Sequence, residues 1–508
     1  MNNEGLAITF AGPAMTQARR PLLVAAVYLG TFIAALDISI VSVALPSIQT
    51  ALRTDVAGLQ WVVGAYALCL SAFMLSAGPI GDRYGRKRSW LAGVAAFMAG
   101  SLVCASAASL IVLVAGCAIQ GIAGAFLIPG ALSILTQAFP EPAERAHVIG
   151  GWSSFSAISL VLGPILGGFL VDHWGWQSIF LINLPLGFVA LALGLAGIVE
   201  SADPDHAALD PVGQVLSMIV LGLVTYGLIT AGGAGWSATT TVAALAAGLL
   251  ALMGFIAVEV RLRRPLLPLD LFRDPAFAAT NAASFILGFA GYSSLFFISL
   301  LLQRAQGWSA TAAGWGMAPQ FVLMAGVSAL FGRLAARHGV HRLMVLGYGL
   351  VGLAMLGMAT ITQVTPYLFL AVLLAGLGIG MGLAVPATGA MIMQSVPRQR
   401  SGMASATMNA LRQAGMTIGV ALLGTVMTLK AVGLLTTTLQ RAGIAHAADV
   451  ASLALARHEI AADLAIDPVR FQAMTGAAIA GGFQMAMLCA GLAGMTAVVL
   501  LAAAARRR

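Results

Sequence analysis

Apolar runs of about 20 residues recur from one end of the chain to the other, separated by short polar or glycine-rich breaks. A helix of that length crosses a hydrocarbon core of about 30 Å. The runs lack the two-residue alternation of a barrel strand, and only helices or closed barrels satisfy their own backbone groups in lipid. The pattern therefore predicts about fourteen spans, at 22–46, 59–80, 90–108, 110–134, 148–171, 178–199, 212–231, 239–260, 276–302, 311–334, 343–362, 366–392, 402–429 and 475–503. An even number places both termini on one side.

Basic residues indicate which side. Alternate loops carry Arg83, Arg86, Lys87 and Arg88, then Arg145, then Arg261, Arg263, Arg264 and Arg273, then Arg333, Arg337 and Arg342, then Arg398 and Arg400. The termini add Arg19, Arg20, Arg506, Arg507 and Arg508. The opposite short loops offer only Arg53 and Arg304. Lys430, Arg441, Arg457 and Arg470 sit in one long opposite loop, which counts weakly because long loops cross regardless of charge. Both termini are expected in the cytoplasm of a cell with a bacterial-type inner membrane.

Composition agrees with this class and excludes others. The chain is 60% hydrophobic and 9% charged, against about 25% charged in a soluble domain. Its net charge of +8 does not point to nucleic acid, because the bases cluster at helix ends. Cys69, Cys104, Cys117 and Cys489 all fall in apolar runs, so neither a disulfide framework nor a zinc site is expected. The first twenty residues end in Arg19-Arg20-Pro21, and the following run is too long for a signal core, so it reads as a retained first span. Residues 200–211 form an acidic linker with Glu200, Asp203, Asp205 and Asp210. Residues 430–474 form a large outer loop with a weakly amphipathic stretch at 450–465, which Asp467-Pro468 should stop. No polar segment is long enough for a catalytic domain. His147, His173, His206, His338, His341, His446 and His458 all lie in loops or at helix ends, so a membrane-embedded enzyme has no candidate cluster. No cofactor or metal is expected.

Two features suggest internal duplication. GPIGDRYGRKR at 78–88 has a degraded echo in GRLAARHGVHR at 332–342, each on a predicted cytoplasmic loop. GWSAT occurs at 235–239 and again at 307–311, where Trp236 and Trp308 suit the headgroup belt and Ser or Thr suits a helix N-cap. Convergent capping chemistry explains the second pair equally.

Three segments carry candidate chemistry. Asp37 is the one acid well inside a span, whereas Glu259 sits at a helix end and should snorkel. A mid-membrane charge costs about 2.5–3.5 kcal/mol on insertion scales, so Asp37 either faces a wet cavity or carries its proton. That behaviour is what proton coupling needs; a structural Asp bonded to a neighbouring helix is the other reading. The loop 78–88 combines Gly78, Asp82, Arg83, Gly85 and Arg86 in a very tight turn, with Gly85 supplying the positive φ. Asp82 can sit at a helix N-terminus and pair with Arg, forming a latch between moving parts; a plain positive anchor is the alternative. SLVLGPILGG at 159–168 sets Ser159, Gly163 and Gly167 at four-residue spacing, followed by Gly168, and Pro164 bends the helix. Generic tight packing would use the same residues.

Together these segments resemble the major facilitator superfamily, in particular its fourteen-helix drug:proton antiporter family, which includes methylenomycin-resistance exporters. GPIGDRYGRKR is similar to the signature between helices two and three, LDISIVSVALP (36–46) to the first-helix motif bearing the family's acid, and SLVLGPILGG to the exporters' fifth-helix motif. WGWQSIFLINLPLG (174–187), PLLPLDLFR (265–273) and RQAGMTIGVA (412–421) also resemble family segments. The resemblance implies an all-α major facilitator fold. It divides into a six-helix bundle at 1–199, a linker with two inserted helices at 200–275, and a second bundle at 276–508. It further implies export of small organic molecules in exchange for protons, with Asp37 as coupling site and Gln120 and Arg412 as polar cavity residues. The substrate would be amphipathic, with cations included, and the protein a monomer in the bilayer. Two positions depart from the family pattern: Cys117 stands where an Arg precedes Gln120-Gly121, and Gly64 follows Gln60-Trp61-Val62-Val63 where an Asp is common. These departures leave open a transporter-like sensor with lost coupling; a proton-coupled importer of a metabolite is a separate alternative, against which the fifth-helix motif argues.

Overall fold

The computed structural model describes residues 19–202, 210–262, 267, 269–397, 400–457 and 467–506. Asp203, Asp205, His206, Arg263, Arg264, Pro265, Leu266, Pro268, Arg398, His458, Arg507 and Arg508 lie outside the described residues, as does the 458–465 end of the predicted outer amphipathic stretch. Among the described residues there are fourteen helices long and apolar enough to cross a membrane, and no strand. They are α1 (Arg20–Leu52), α2 (Val56–Tyr84), α3 (Arg86–Ala105), α4 (Leu110–Ala138), α5 (Pro142–Trp174), α6 (Ser178–Gly197), α7 (Pro211–Ala234), α8 (Thr239–Arg261), α9 (Pro275–Ala305), α10 (Ala310–His338), α11 (Val340–Met358), α12 (Tyr367–Gln394), α13 (Ser401–Arg441) and α15 (Pro468–Ala505). A short helix, α14 (Ala447–Arg457), lies between the last two.

Local chemistry starts several helices in the same way. Asp210, Asp274 and Asp467 each accept a backbone amide of the first turn, from Gly213, Ala276 and Arg470, and each precedes a proline at the first helical position. Proline has no amide to leave unsatisfied there, and the acid complements the helix dipole. Asp467-Pro468 thus starts a helix where the sequence pattern suggested a stop. Of the two GWSAT copies only the second caps with its serine, Ser309 accepting from Ala312 N at 3.1 Å.

The helices α1 to α6 pack with α3 on α4, α4 on α2, α1 on α5, and α6 against α1 and α3. The later helices repeat this arrangement, with α11 on α12, α12 on α10, α9 on α13, and α15 against α9 and α11. The turn at Gly85 (φ +107°) between α2 and α3 has its counterpart at Gly339 (φ +82°) between α10 and α11. Both glycines hold a conformation that a Cβ would strain, so the echo of 78–88 in 332–342 is also a structural one. The two groups meet along α2–α13 and α5–α10, while α7 and α8 pair and α7 leans on both α2 and α13.

One side chain and one helix end depart from the sequence expectation. Glu259 does not snorkel: it is 1% exposed, and its Oε2 accepts from Leu267 N at 2.9 Å. Gly213 of α7 lies beside the carboxylate, and Leu267, which follows α8 in the chain, offers it an amide. Helix α13 runs to Arg441, twelve residues beyond the predicted apolar span, because a helix can continue past the bilayer without an apolar sequence.

Candidate functional site

Asp37 lies midway along α1 and is 3% exposed. Its Oδ1 accepts from Gln120 Nε2 on α4 (3.0 Å) and from Asn183 Nδ2 on α6 (3.1 Å). Both amides also donate to Ser101 Oγ on α3, at 3.0 and 3.2 Å. Four helices of the first group therefore converge on one carboxylate. Cys117 Sγ, one turn before Gln120, lies 3.8 Å from Cys104 Sγ, so neutral thiols fill the space beside the network and neutral amides are its donors. Asn183 is absent from the sequence reading, although a polar side chain within an apolar run is a signal of its own, because such a group must find a partner in lipid. Its second polar atom, Oδ1, is buried without a donor.

A cavity of about 1290 Å³ separates the two helix groups and opens among the basic loops. One wall comes from α2, with Met74, Ser76, Gly78 and Asp82, and another from α13, with Ser401, Ser405 and Asn409. Beyond it the same helices close on each other. Ser71 Oγ donates to Ala410 O at 2.9 Å, and Gln60 Nε2 donates to Val420 O and Ala421 O at 2.8 and 2.9 Å. On the other seam, Gly168 packs directly on the backbone of Ala310 and Thr311, and Gly314 on that of Pro164. Asp172 Oδ2 accepts from Thr311 N at 2.8 Å, Arg304 Nη2 donates to Pro46 O at 2.6 Å, and Gln303 Nε2 donates to Val43 O at 3.0 Å. The molecule is a V, shut at the end opposite the basic loops.

In the 78–88 turn, Asp82 near the end of α2 pairs with Arg86 at the start of α3, across Gly85, at 2.7 Å, and Arg86 also bonds to Gln137. Arg83 is exposed, its guanidinium over the Tyr84 ring. A latch between moving parts would bring Asp82 to the second helix group, but here the cavity lies between Asp82 and Ser401-Gly402 at the start of α13, and all three line it. The acid at the start of α3 is instead Glu200, which accepts from Lys87 N and Arg88 N at 3.1 and 3.2 Å. In the fifth-span segment, Ser159 bonds back to Ser156 O, Gly163 and Gly167 face Ser39, Ile40 and Val43 of α1, and Pro164 and Gly168 face α10. The small residues thus serve two neighbours at once. Arg412 is half-buried, its guanidinium 5.5 Å from the Tyr292 ring centre and bonded to Asn409.

A family model described as Major Facilitator Superfamily matches residues 27–420. The chain belongs to that superfamily. Within it, this facilitator is 34% identical over 404 residues to the methylenomycin A resistance protein of Bacillus subtilis, covering 79% of this chain and 86% of the relative. It is 37% identical over 403 residues to the multidrug resistance protein Stp of Mycobacterium tuberculosis, covering 78% and 74%. Among solved structures it is similar to a bacterial homologue of the human lysosomal transporter Spinster, inward-facing and unoccupied. There the TM-score is 0.62 at 20% identity, over 97% of this chain and 98% of that one, a likeness of fold. This facilitator is a multi-pass membrane transport protein for small molecules, not an enzyme.

Proposed function

We propose that the protein exports small organic molecules, drugs or antibiotics among them, by alternating access in exchange for protons. The two moving parts are 1–199 and 276–508, with the helices of 200–275 as an insertion beside the α2–α13 seam. The basic loops mark the cytoplasmic side of a bacterial-type inner membrane, which puts both termini there and makes the open V the inward-facing state. The observation that carries the reading is Asp37, an acid buried in a bundle core yet held by two neutral amides from two other helices, which in turn bond to Ser101 on a third. Such a group gains or loses its proton as the packing of those helices changes. A proton on Asp37 turns one of its oxygens into a donor, so its hydrogen bonds with Gln120 and Asn183 must rearrange. Asp82, released from Arg86, can then meet the start of α13 when the cavity shuts on the cytoplasmic side. The relatives' names, methylenomycin A resistance and multidrug resistance, favour export over uptake.

Drug-susceptibility profiling of an efflux-deficient host expressing this chain tests the reading. Resistance is expected from the wild type and is expected to vanish with Asp37→Asn or a protonophore. Resistance that survives both removes proton drive, and protection against no compound removes export.

A further inference from the structure

We infer that the deep end of the cavity is an anion site, in which the guanidinium of Arg412 receives a carboxylate, or another singly negative group, of the transported molecule. This rests on the export reading and narrows its substrate class.

Near the mouth of the cavity Asp82 pairs with Arg86 and Asp270 with Arg400, while Asp210 accepts the Gly213 amide and Glu259 the Leu267 amide. Further in, α13 presents Ser401, Ser405, Asn409 and Arg412 at offsets of 0, 4, 8 and 11, which places them on one face. Asn409 is the deepest α13 residue on the cavity wall, and Arg412 bonds back to its side-chain oxygen. The other partner of Arg412 is the face of Tyr292. Both are neutral. Among the described residues no carboxylate lies within ion-pair distance of it.

A cation inside a membrane protein normally pairs with an acid or lines a watery path, because its charge is costly in hydrocarbon. Arg412 stands beside the last wall residue, Asn409, with a seat but no counter-charge. The seat is built. Tyr292 ends a π-helical turn, Gly288–Tyr292, and Gly288 packs against the Arg412 backbone carbonyl, where any Cβ would collide. Such turns inside α-helices recur at functional sites. The guanidinium has five N–H donors in a planar fork, and Asn409 occupies only part of it, so a carboxylate could bind in the remainder. Asp37 is withdrawn between α1, α3, α4 and α6 and does not line the cavity. Met74, Ile128, Leu132 and Trp152 offer apolar surface for the body of the ligand.

The test uses a matched set of probes, 1-naphthaleneacetate, its neutral amide, and 1-naphthylmethylammonium, with purified protein for binding and proteoliposomes for transport. The wild type is expected to bind the carboxylate about tenfold more tightly than the amide, and the ammonium least. Arg412→Gln should erase the preference for the carboxylate over the amide, while Arg412→Lys, which keeps the charge without the fork, should retain part of it. Carboxylate bound no better than amide, or an Arg412→Gln protein that binds amide and carboxylate as the wild type does, overturns the anion site. Binding of the carboxylate without transport removes the export reading alone; transport of all three probes without discrimination removes the anion site alone.

Discussion

The carboxylate of Asp172 on α5 accepts the backbone amide of Thr311 at the start of α10, 2.8 Å away, joining the two helix groups at the end where the molecule is shut. An acid at a helix N-terminus is favoured both by the free amides and by the dipole. The bond can exist only while α5 and α10 touch, so it belongs to the state that is open among the basic loops. Asp172→Ala should weaken that closure by about 1 kcal/mol, the group being exposed. This is roughly a fivefold shift toward the form open at the opposite end. A single cysteine at Ala421, buried in the other seam, should then react faster with a membrane-impermeant maleimide in a cysteine-free background. An unchanged rate would mean that the contact carries no closing energy.

Glycine rather than charge sets the closeness of the same seam. A Cβ on Gly168 would stand 2.7 Å from the Thr311 Cα, and one on Gly314 would stand 2.8 Å from the Pro164 carbonyl carbon. Backbone atoms cannot step aside as a flexible side chain can. Gly168→Val should therefore impose an overpacking cost of about 1–3 kcal/mol on the closed seam alone. The expected result is a protein that still folds, labels strongly at Ala421→Cys, and has lost transport. Full transport in Gly168→Val would show that the helices need not approach so closely.

At the start of α3, Glu200 accepts two first-turn amides and lies 3.6 Å from Arg88. Glu200→Ala should cost about 1 kcal/mol, as loss of a helix cap does. A lower midpoint of thermal unfolding in detergent, with transport at ordinary temperature retained, is the expected outcome.

Asn183 is one of two amides on the Asp37 carboxylate. Asn183→Leu leaves a buried charge one donor short, a loss of about 1.5–3 kcal/mol for a bond to a charged group. Proton-driven transport should fall by roughly tenfold or more. Substrate exchange at equal pH on both sides, which needs no net proton turnover, should fall much less. Equal losses in both assays would assign Asn183 to packing.

The number and order of spans are legible in the sequence because each must be apolar over its crossing length; nothing comparable marks how far a helix runs into water. Hence α13 was expected to end near 429, while Lys430, Thr437 and Arg441 continue it. The turn at Gly85 was legible because so few residues tolerate its φ. Asp37 stood out as a lone acid, but its partners come from three other helices, and a single sequence does not say which helices neighbour one another. Asn183 and Ser101 were accordingly missed. Glu259 was misread for a related reason, since its neighbours come from α7 and from the chain after α8. Asp172 and Glu200 sit at helix ends, where acids are common and the partner is a backbone amide that leaves no trace in composition. The position of Asp82 relative to α13 depends on which state of the cycle is present, which sequence does not encode.

Coupling through Asp37 is tested most directly by proton release from purified protein in weakly buffered detergent, on addition of a compound to which the chain confers resistance. The wild type should release protons in a stoichiometric burst, and Asp37→Asn should bind the same compound and release none. A burst of the same size from Asp37→Asn would contradict the account.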